Sequence, residues 1–338
     1  MGKDLLGNPK EPKIKKSKSV TKKVSKDMKT RDITEGVTIY IPRDDNIIPD
    51  SLPDLIMTEE LEELDVLLHA HLSTGNPLLV RGPKGIAKTL MVARFCMDNE
   101  IPLIQVDCSE QMKAYDLLGR FIPVDDTIVY QLGVIPTAIE LANEHGRAAI
   151  CLEEFNTLTP NMQKVTNQLL DFRHHAYVPA VGKTFKLIGD AKLGIFATCN
   201  PSTYGGTFEL NEDLFSRLTT FDMNYPQREE EINILEQLFA DYYDEIGELF
   251  PQFVTLAKET RHGYNKNEYS YALSTRDVCY LVQNYVAYKE RLEEIGHEDP
   301  EIFSKELVRK VFLSKYDTSE SEREAVNLAW SRSIGETF

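Results

Sequence analysis

The sequence predicts an α/β fold: a mostly parallel sheet with helices on both faces, followed by a smaller all-helical domain. Three observations carry that prediction. Short apolar runs alternate with amphipathic helical stretches through the first two thirds of the chain. One of these runs, Leu78-Leu79-Val80-Arg81, passes through a Gly-rich turn into Lys88-Thr89 at the head of a helix. From about Pro226 onward the strand-like runs stop and only helical periodicity remains.

In chain order, residues 37–41 alternate like a short strand, and 49–53 read as a loop. Thr58 can cap a helix over 59–72, with Leu61, Leu64, Leu67 and Leu68 on one face. Ser73 to Pro77 breaks it, and the first core strand and its turn follow. Residues 102–108 predict a second strand, and 111–118 a short helix stopped at Gly119. A helix over 135–145 ends at Gly146, and a third strand covers 148–154. Next come an amphipathic helix over 161–172 and a hairpin over 177–187 broken at Val181-Gly182-Lys183. A core strand at 192–200 and a short helix at 211–218 complete the α/β part. Helices are then expected over 229–238, 243–257, 274–291, 301–312 and 322–330.

Composition sets limits. The chain has 338 residues and is 42% hydrophobic, ample for a sizeable core. No apolar run has membrane-spanning length, and none near the start could act as a secretory signal. The five cysteines form no CxxC pair. Buried free thiols in a reducing, cytoplasmic setting are expected, rather than zinc or a disulfide framework. Net charge is −16, but residues 1–31 hold eleven Lys/Arg and three Asp/Glu. That basic segment is expected to be disordered. It offers a positive grip for nucleic acid, an acidic partner or an anionic membrane. A nuclear address and a plain linker are equally open. The acidic remainder argues against a protein that tracks DNA, because phosphate contacts need a positive surface.

The segment Gly82-Pro83-Lys84-Gly85-Ile86-Ala87-Lys88-Thr89 carries the first chemical signal. Backbone N–H groups of such a turn point at anionic oxygens, and the next helix adds its positive dipole end. Lys88 would reach the β/γ-phosphates and Thr89 would place its hydroxyl on Mg²⁺. Ala87 stands where a final Gly is usual. A methyl group there is expected to crowd a backbone that must approach phosphate closely. The second signal is Ile150-Cys-Leu-Glu153-Glu154, a buried strand with two carboxylates at its tip. Ligands of open α/β sheets bind at that edge. Glu153 can hold the Mg²⁺ hydration shell, and Glu154 can orient and deprotonate a water. Glu153 replaces the usual Asp. The strand end Asn200-Pro201 puts an amide at the same edge, and Arg217 and Arg276 place cations at a helix end and a helix start.

The order of these elements resembles the AAA+ ATPase superfamily and, more narrowly, its MoxR and dynein-related branch. The stretch Glu153-Glu-Phe-Asn156-Thr-Leu-Thr-Pro160 is similar to that branch's pattern around its acidic strand tip. So are the helix after it, the hairpin around Gly182, Val106-Asp-Cys-Ser-Glu and Tyr225-Pro-Gln-Arg-Glu-Glu230. The likeness spans roughly residues 55–290, about 70% of the chain. It implies a P-loop NTPase core over 36–225 and a helical lid after it; the basic tail over 1–35 and the C-terminal helical extension that completes 226–338 lie outside the likeness and rest on composition. It also implies ATP and Mg²⁺ as ligands, with ATP hydrolysis as the reaction. Glu154 is then the catalytic base, Asn200 senses the γ-phosphate, and Arg276 contacts phosphate from the lid. Arg217 would reach a neighbouring subunit's site in a ring, usually a hexamer. The partner would be a remodelled protein, often one with a von Willebrand A domain. A nucleic-acid motor gripping through the basic tail, and a nucleotide switch with weak turnover, are the alternatives.

Two further features invite a function. Asn265-Lys-Asn-Glu268 resembles a guanine-reading motif but follows no strand and ends in Glu, so it is read as chance. His174-His175 has no third ligand nearby and is expected on a loop surface.

Overall fold

The computed structural model describes residues 31–34, 37–40, 51–124, 127–201, 206–316 and 319–335. The basic segment over 1–30 lies outside the described residues. The chain begins with strands β1 (Arg31–Thr34) and β2 (Val37–Tyr40), which pair antiparallel. Arg31–Thr34, within the segment read as a tail over 1–35, find backbone partners in β2.

Helix α1 (Glu59–Thr74) starts where expected, and the Thr58 hydroxyl accepts from the Leu61 N–H. Strand β3 (Leu78–Arg81) leads through the Gly-rich turn into α2 (Lys88–Asp98). Then come β4 (Leu103–Asp107), α3 (Ala114–Leu118), β5 (Gly119–Val124), β6 (Thr127–Leu132) and α4 (Val134–His145). Strand β7 (Arg147–Glu153) is followed by α5 (Pro160–Leu170), the hairpin β8 (His175–Val178) and β9 (Lys183–Lys186), and β10 (Lys192–Cys199). Helix α6 (Glu212–Phe215) and β11 (Thr219–Asp222) end the strand-bearing part. Six helices follow: α7 (Arg228–Leu238), α8 (Tyr243–Ile246), α9 (Phe250–Asn265), α10 (Thr275–Glu294), α11 (Pro300–Leu313) and α12 (Glu320–Ile334).

The central sheet is parallel and runs β11-β3-β10-β7-β4. Its strands alternate cleanly. Leu79, Ile150, Leu152, Ile195 and Ala197 face one apolar cluster, with α4 and α5. Leu78, Val80, Ala149, Cys151 and Phe196 face the other, with α1 and α2. Helices therefore cover both faces of a sheet whose central strands β3, β10 and β7 are almost wholly buried. A third apolar cluster, containing Phe253, Tyr285, Phe312 and Trp330, lies inside the helical region.

Several expectations change. A second sheet, β1-β2-β6-β5, is an addition to the expected strands, and Gly119 both ends α3 as expected and opens β5. The helix expected over 243–257 is broken. Pro251, which has no N–H to give, fits only the first turn of a helix, so α9 restarts at Phe250. His174 and His175 are half-buried rather than on a loop surface. The ring Nδ1 of His174 lies 3.0 Å from the Leu169 carbonyl, and His175 opens β8. Asn265 to Glu268 closes α9 in a turn. Cys96, Cys108, Cys151 and Cys199 are buried as unpaired thiols, and Cys279 is partly exposed. No helix among the described residues is long and apolar enough to cross a membrane.

Candidate nucleotide site

Strand order decides which side chains meet. Strand β10 lies between β3 and β7, so Asn200, just past β10, stands between the Gly-rich turn and the acidic tip of β7. The side chains use that placement. Lys88 Nζ donates to the Gly82 carbonyl (2.7 Å), the Pro83 carbonyl (2.7 Å) and Asn200 Oδ1 (3.2 Å). Asn200 Nδ2 donates to Glu154 Oε1 at 3.2 Å. Lys88, Asn200 and Glu154 thus form one continuous polar chain across the carboxyl edge of the sheet.

Lys88 is only 8% exposed. Burial pushes its ammonium down to about 8, against the opposing pull of Cys199 and Glu154, while Arg276 and Lys84 push the same way as burial. Glu153 accepts from Gln105 Nε2 at 3.2 Å and from the Thr89 hydroxyl. Burial, with neighbouring Asp107 and Glu154, still holds its carboxyl above the ordinary value.

Two residues pay in backbone conformation for their position. Ala87 precedes α2 at φ 66°, and Glu154 follows β7 at φ 48°, both left-handed. Such geometry costs a non-glycine residue on the order of 1–2 kcal/mol and clusters at functional sites. The Ala87 departure is therefore a matter of strain in the turn. For Glu154, the turn aims the carboxylate away from the strand and toward Asn200. The Glu154 N–H donates to Thr198 Oγ1 at 3.3 Å, which steadies that turn.

The helical region closes onto the Gly-rich turn. The Arg276 N–H donates to the Gly85 carbonyl at 3.2 Å. Gly85 has φ 73°, and a Cβ there would lie 2.4 Å from Ser274 Oγ. Glycine is thus required twice, by conformation and by the approach of α10. Gly85→Ala is expected to lift α10 off the turn and weaken ATP binding about tenfold, measured by titration beside a melting curve. Unchanged affinity in a folded variant would show that this seam plays no part.

A cleft of about 1010 Å³ runs from Gly85, Ile86, Ala87, Thr89 and Glu153 to an apolar end near Leu55, Ile56, Tyr225 and Ile234. That size suits a nucleotide. These apolar walls were not found from sequence. They come from the approach to α1, the connection after β11 and the inner face of α7, which no local motif marks. Asn156, read only as part of the stretch Glu153 to Pro160 and given no role, donates its Nδ2 to the Asn200 carbonyl at 2.9 Å and fixes that residue's backbone.

Arg217 is not brought to this cleft. It precedes β11, whose first residue pairs with Leu78, whereas the Gly-rich turn follows the last residue of β3. Its guanidinium instead meets Asp171 (2.7 Å) and the Asp213 carbonyl (3.1 Å). Arg173 first, and Arg217 after it, hold the Asp171 carboxyl down to about 2.

A family model described as "AAA domain (dynein-related subfamily)" matches residues 77–218, the segment that builds the turn, the acidic tip and the Asn200 strand. This core is a dynein-related AAA domain. Among its relatives is midasin of Giardia intestinalis, 27% identical over 166 residues, 49% of this chain and 3% of midasin. The protein CbbQ of Hydrogenophilus thermoluteolus is 28% identical over 47% of this chain and 57% of its own length. The denitrification regulatory protein NirQ of Pseudomonas aeruginosa is 26% identical over 48% of this chain and 59% of its own. The chain therefore spans less than two thirds of each of these relatives. In all three the alignment covers about half of this chain, a length that fits the AAA domain.

Proposed function

We propose that the chain binds ATP with Mg²⁺ in this cleft and hydrolyses it in a homo-oligomeric ring, a hexamer by resemblance, to remodel a protein partner. A von Willebrand A domain protein is the first partner to test. The observation that carries the reading is the Lys88–Asn200–Glu154 chain at the sheet edge. It joins a phosphate-seeking cation to a carboxylate through an amide that touches both. The four buried thiols suit a reducing compartment such as the cytoplasm.

The residues present fit the ligands. The three oxygens around Lys88 Nζ are acceptors that a phosphate oxygen can replace, and the N-terminus of α2 faces the same turn. The Thr89 hydroxyl and Glu153 carboxylate, already in contact, are hard oxygen donors that would hold Mg²⁺. When bound, that ion neutralises charge on the β- and γ-phosphates. Glu154 accepts a proton from the attacking water. Asn200 holds Glu154 and registers the γ-phosphate through the same amide. Arg276 contacts phosphate from the helical side, and Arg217 acts on the adjoining copy's nucleotide.

Calorimetry of ATP binding against pH tests the reading. Free Lys88 loses its proton near pH 8, whereas bound triphosphate favours the charged form. Affinity is therefore expected to fall up to about tenfold for each pH unit above 8, with proton uptake on binding. Folding stability has the opposite sign. Between about 8 and the ordinary 10.5 the folded chain holds fewer protons at this site than the unfolded one. The cost of burying the charged amine fades as pH rises through that window. Flat affinity from pH 7 to 9.5 would remove Lys88 from the phosphate site.

A further inference from the structure

Arg261 on α9 stands behind the cleft and ties three of its walls together. Its Nη1 and Nη2 donate to the two carboxylate oxygens of Glu231 on α7, at 2.9 and 2.6 Å. Its Nε donates to the Leu273 carbonyl at 2.7 Å. Its Cζ lies 3.9 Å from the centre of the Tyr225 ring. The side chain of Arg261 is 11% exposed and that of Glu231 1%.

Each of these contacts leads to the cleft. Tyr225 lines its apolar end, and α7 contributes Glu230 and Ile234, with its N-cap Gln227 beside them. Leu273 immediately precedes Ser274, which caps α10, and Arg276, which touches Gly85. Leu273 is also gripped from its other side, because its N–H donates to Thr260 Oγ1 at 3.1 Å. Consecutive residues of α9 therefore fix both backbone polar groups of Leu273, the residue just before the α10 cap.

A buried ion pair is weak evidence for stability, because desolvation offsets most of its attraction. Its better use is geometric. The flat guanidinium fork satisfies two carboxylate oxygens and a carbonyl in one plane while stacking on an aromatic face. Lysine, a point charge, cannot reproduce that set.

We propose that Arg261 is a positioning residue that couples the nucleobase wall at Tyr225 to the phosphate-facing Arg276. This role rests on the nucleotide reading of the cleft. Movement of α9 then shifts both ends of the ligand together, and nucleotide binding in turn is felt by α9.

The test compares Arg261→Lys and Tyr225→Leu in the full chain, with ATP and inorganic tripolyphosphate as probes and melting curves alongside. Arg261→Lys keeps a cation beside Glu231, and Tyr225→Leu leaves no charge unpaired, so folding is kept. Tyr225→Leu is expected to weaken ATP about tenfold and leave tripolyphosphate unchanged. Arg261→Lys is expected to weaken both, because it disturbs the base wall and the Arg276 end at once. Unchanged tripolyphosphate affinity in folded Arg261→Lys overturns the coupling. Wild-type chain that binds neither probe overturns the nucleotide reading and this role with it. Wild-type binding with both variants unaltered overturns this role alone.

Discussion

Arg217→Ala is expected to bind ATP as wild type does and to lose hydrolysis by about 10³- to 10⁵-fold, the range for a charge supplied to a transferring phosphoryl group. The expectation follows from the sheet. Arg217 enters β11 at the end where β3 begins, and the Gly-rich turn leaves β3 at the other end. Its partners within the chain are Asp171 and Asp213. Removing it leaves Asp171 paired with Arg173, so the fold should survive. If Arg217 serves the adjoining copy, mixing Arg217→Ala with Glu154→Gln chains should restore measurable hydrolysis. At some interfaces an intact Glu154 then meets an intact Arg217. Equal inactivity of mixed and separate preparations would sink the shared site.

Glu154→Gln should retain ATP yet turn it over about 10²- to 10⁴-fold more slowly, the usual worth of a positioned proton acceptor. The glutamine amide oxygen can still accept from Asn200 Nδ2, as Glu154 Oε1 does at 3.2 Å. The geometry is thus preserved while the basicity is lost. Single-turnover hydrolysis with equilibrium binding separates the two effects. Turnover near wild type would mean another group accepts the proton, and Glu153, held near Thr89 and Gln105, would be the next residue to test.

Much of the phosphate end could be read from local patterns. A buried strand followed by Gly82 to Thr89, a strand ending in Glu153-Glu154, and another ending in Asn200 all report on one sheet edge. Side-chain alternation and strand order do the rest. The apolar end could not be read that way. Leu55 and the Tyr225–Ile234 stretch lie about 170 residues apart and meet only through tertiary packing. Short edge strands hid for a different reason. Thr219–Asp222 has one apolar residue in four, too little for alternation to show. Gly119 does stop α3, as glycine at a helix end should, but its φ of 124° also turns the chain directly into β5, which a stop signal alone does not announce. The broken helix before α9 was marked by Pro251, whose meaning depends on whether a helix starts or continues there.

The helices from α7 onward enclose an apolar interior of their own, apart from the clusters flanking the sheet. Tilting that block exposes neither interior. The contacts that cross between the block and the sheet side include the Arg276 N–H to the Gly85 carbonyl at 3.2 Å, the Glu59 N–H to Glu230 Oε1 at 3.5 Å and Arg261 stacked on Tyr225. The two bodies are expected to act as a lever, so that a small change beside Gly85 is delivered as travel at the far surface of the block.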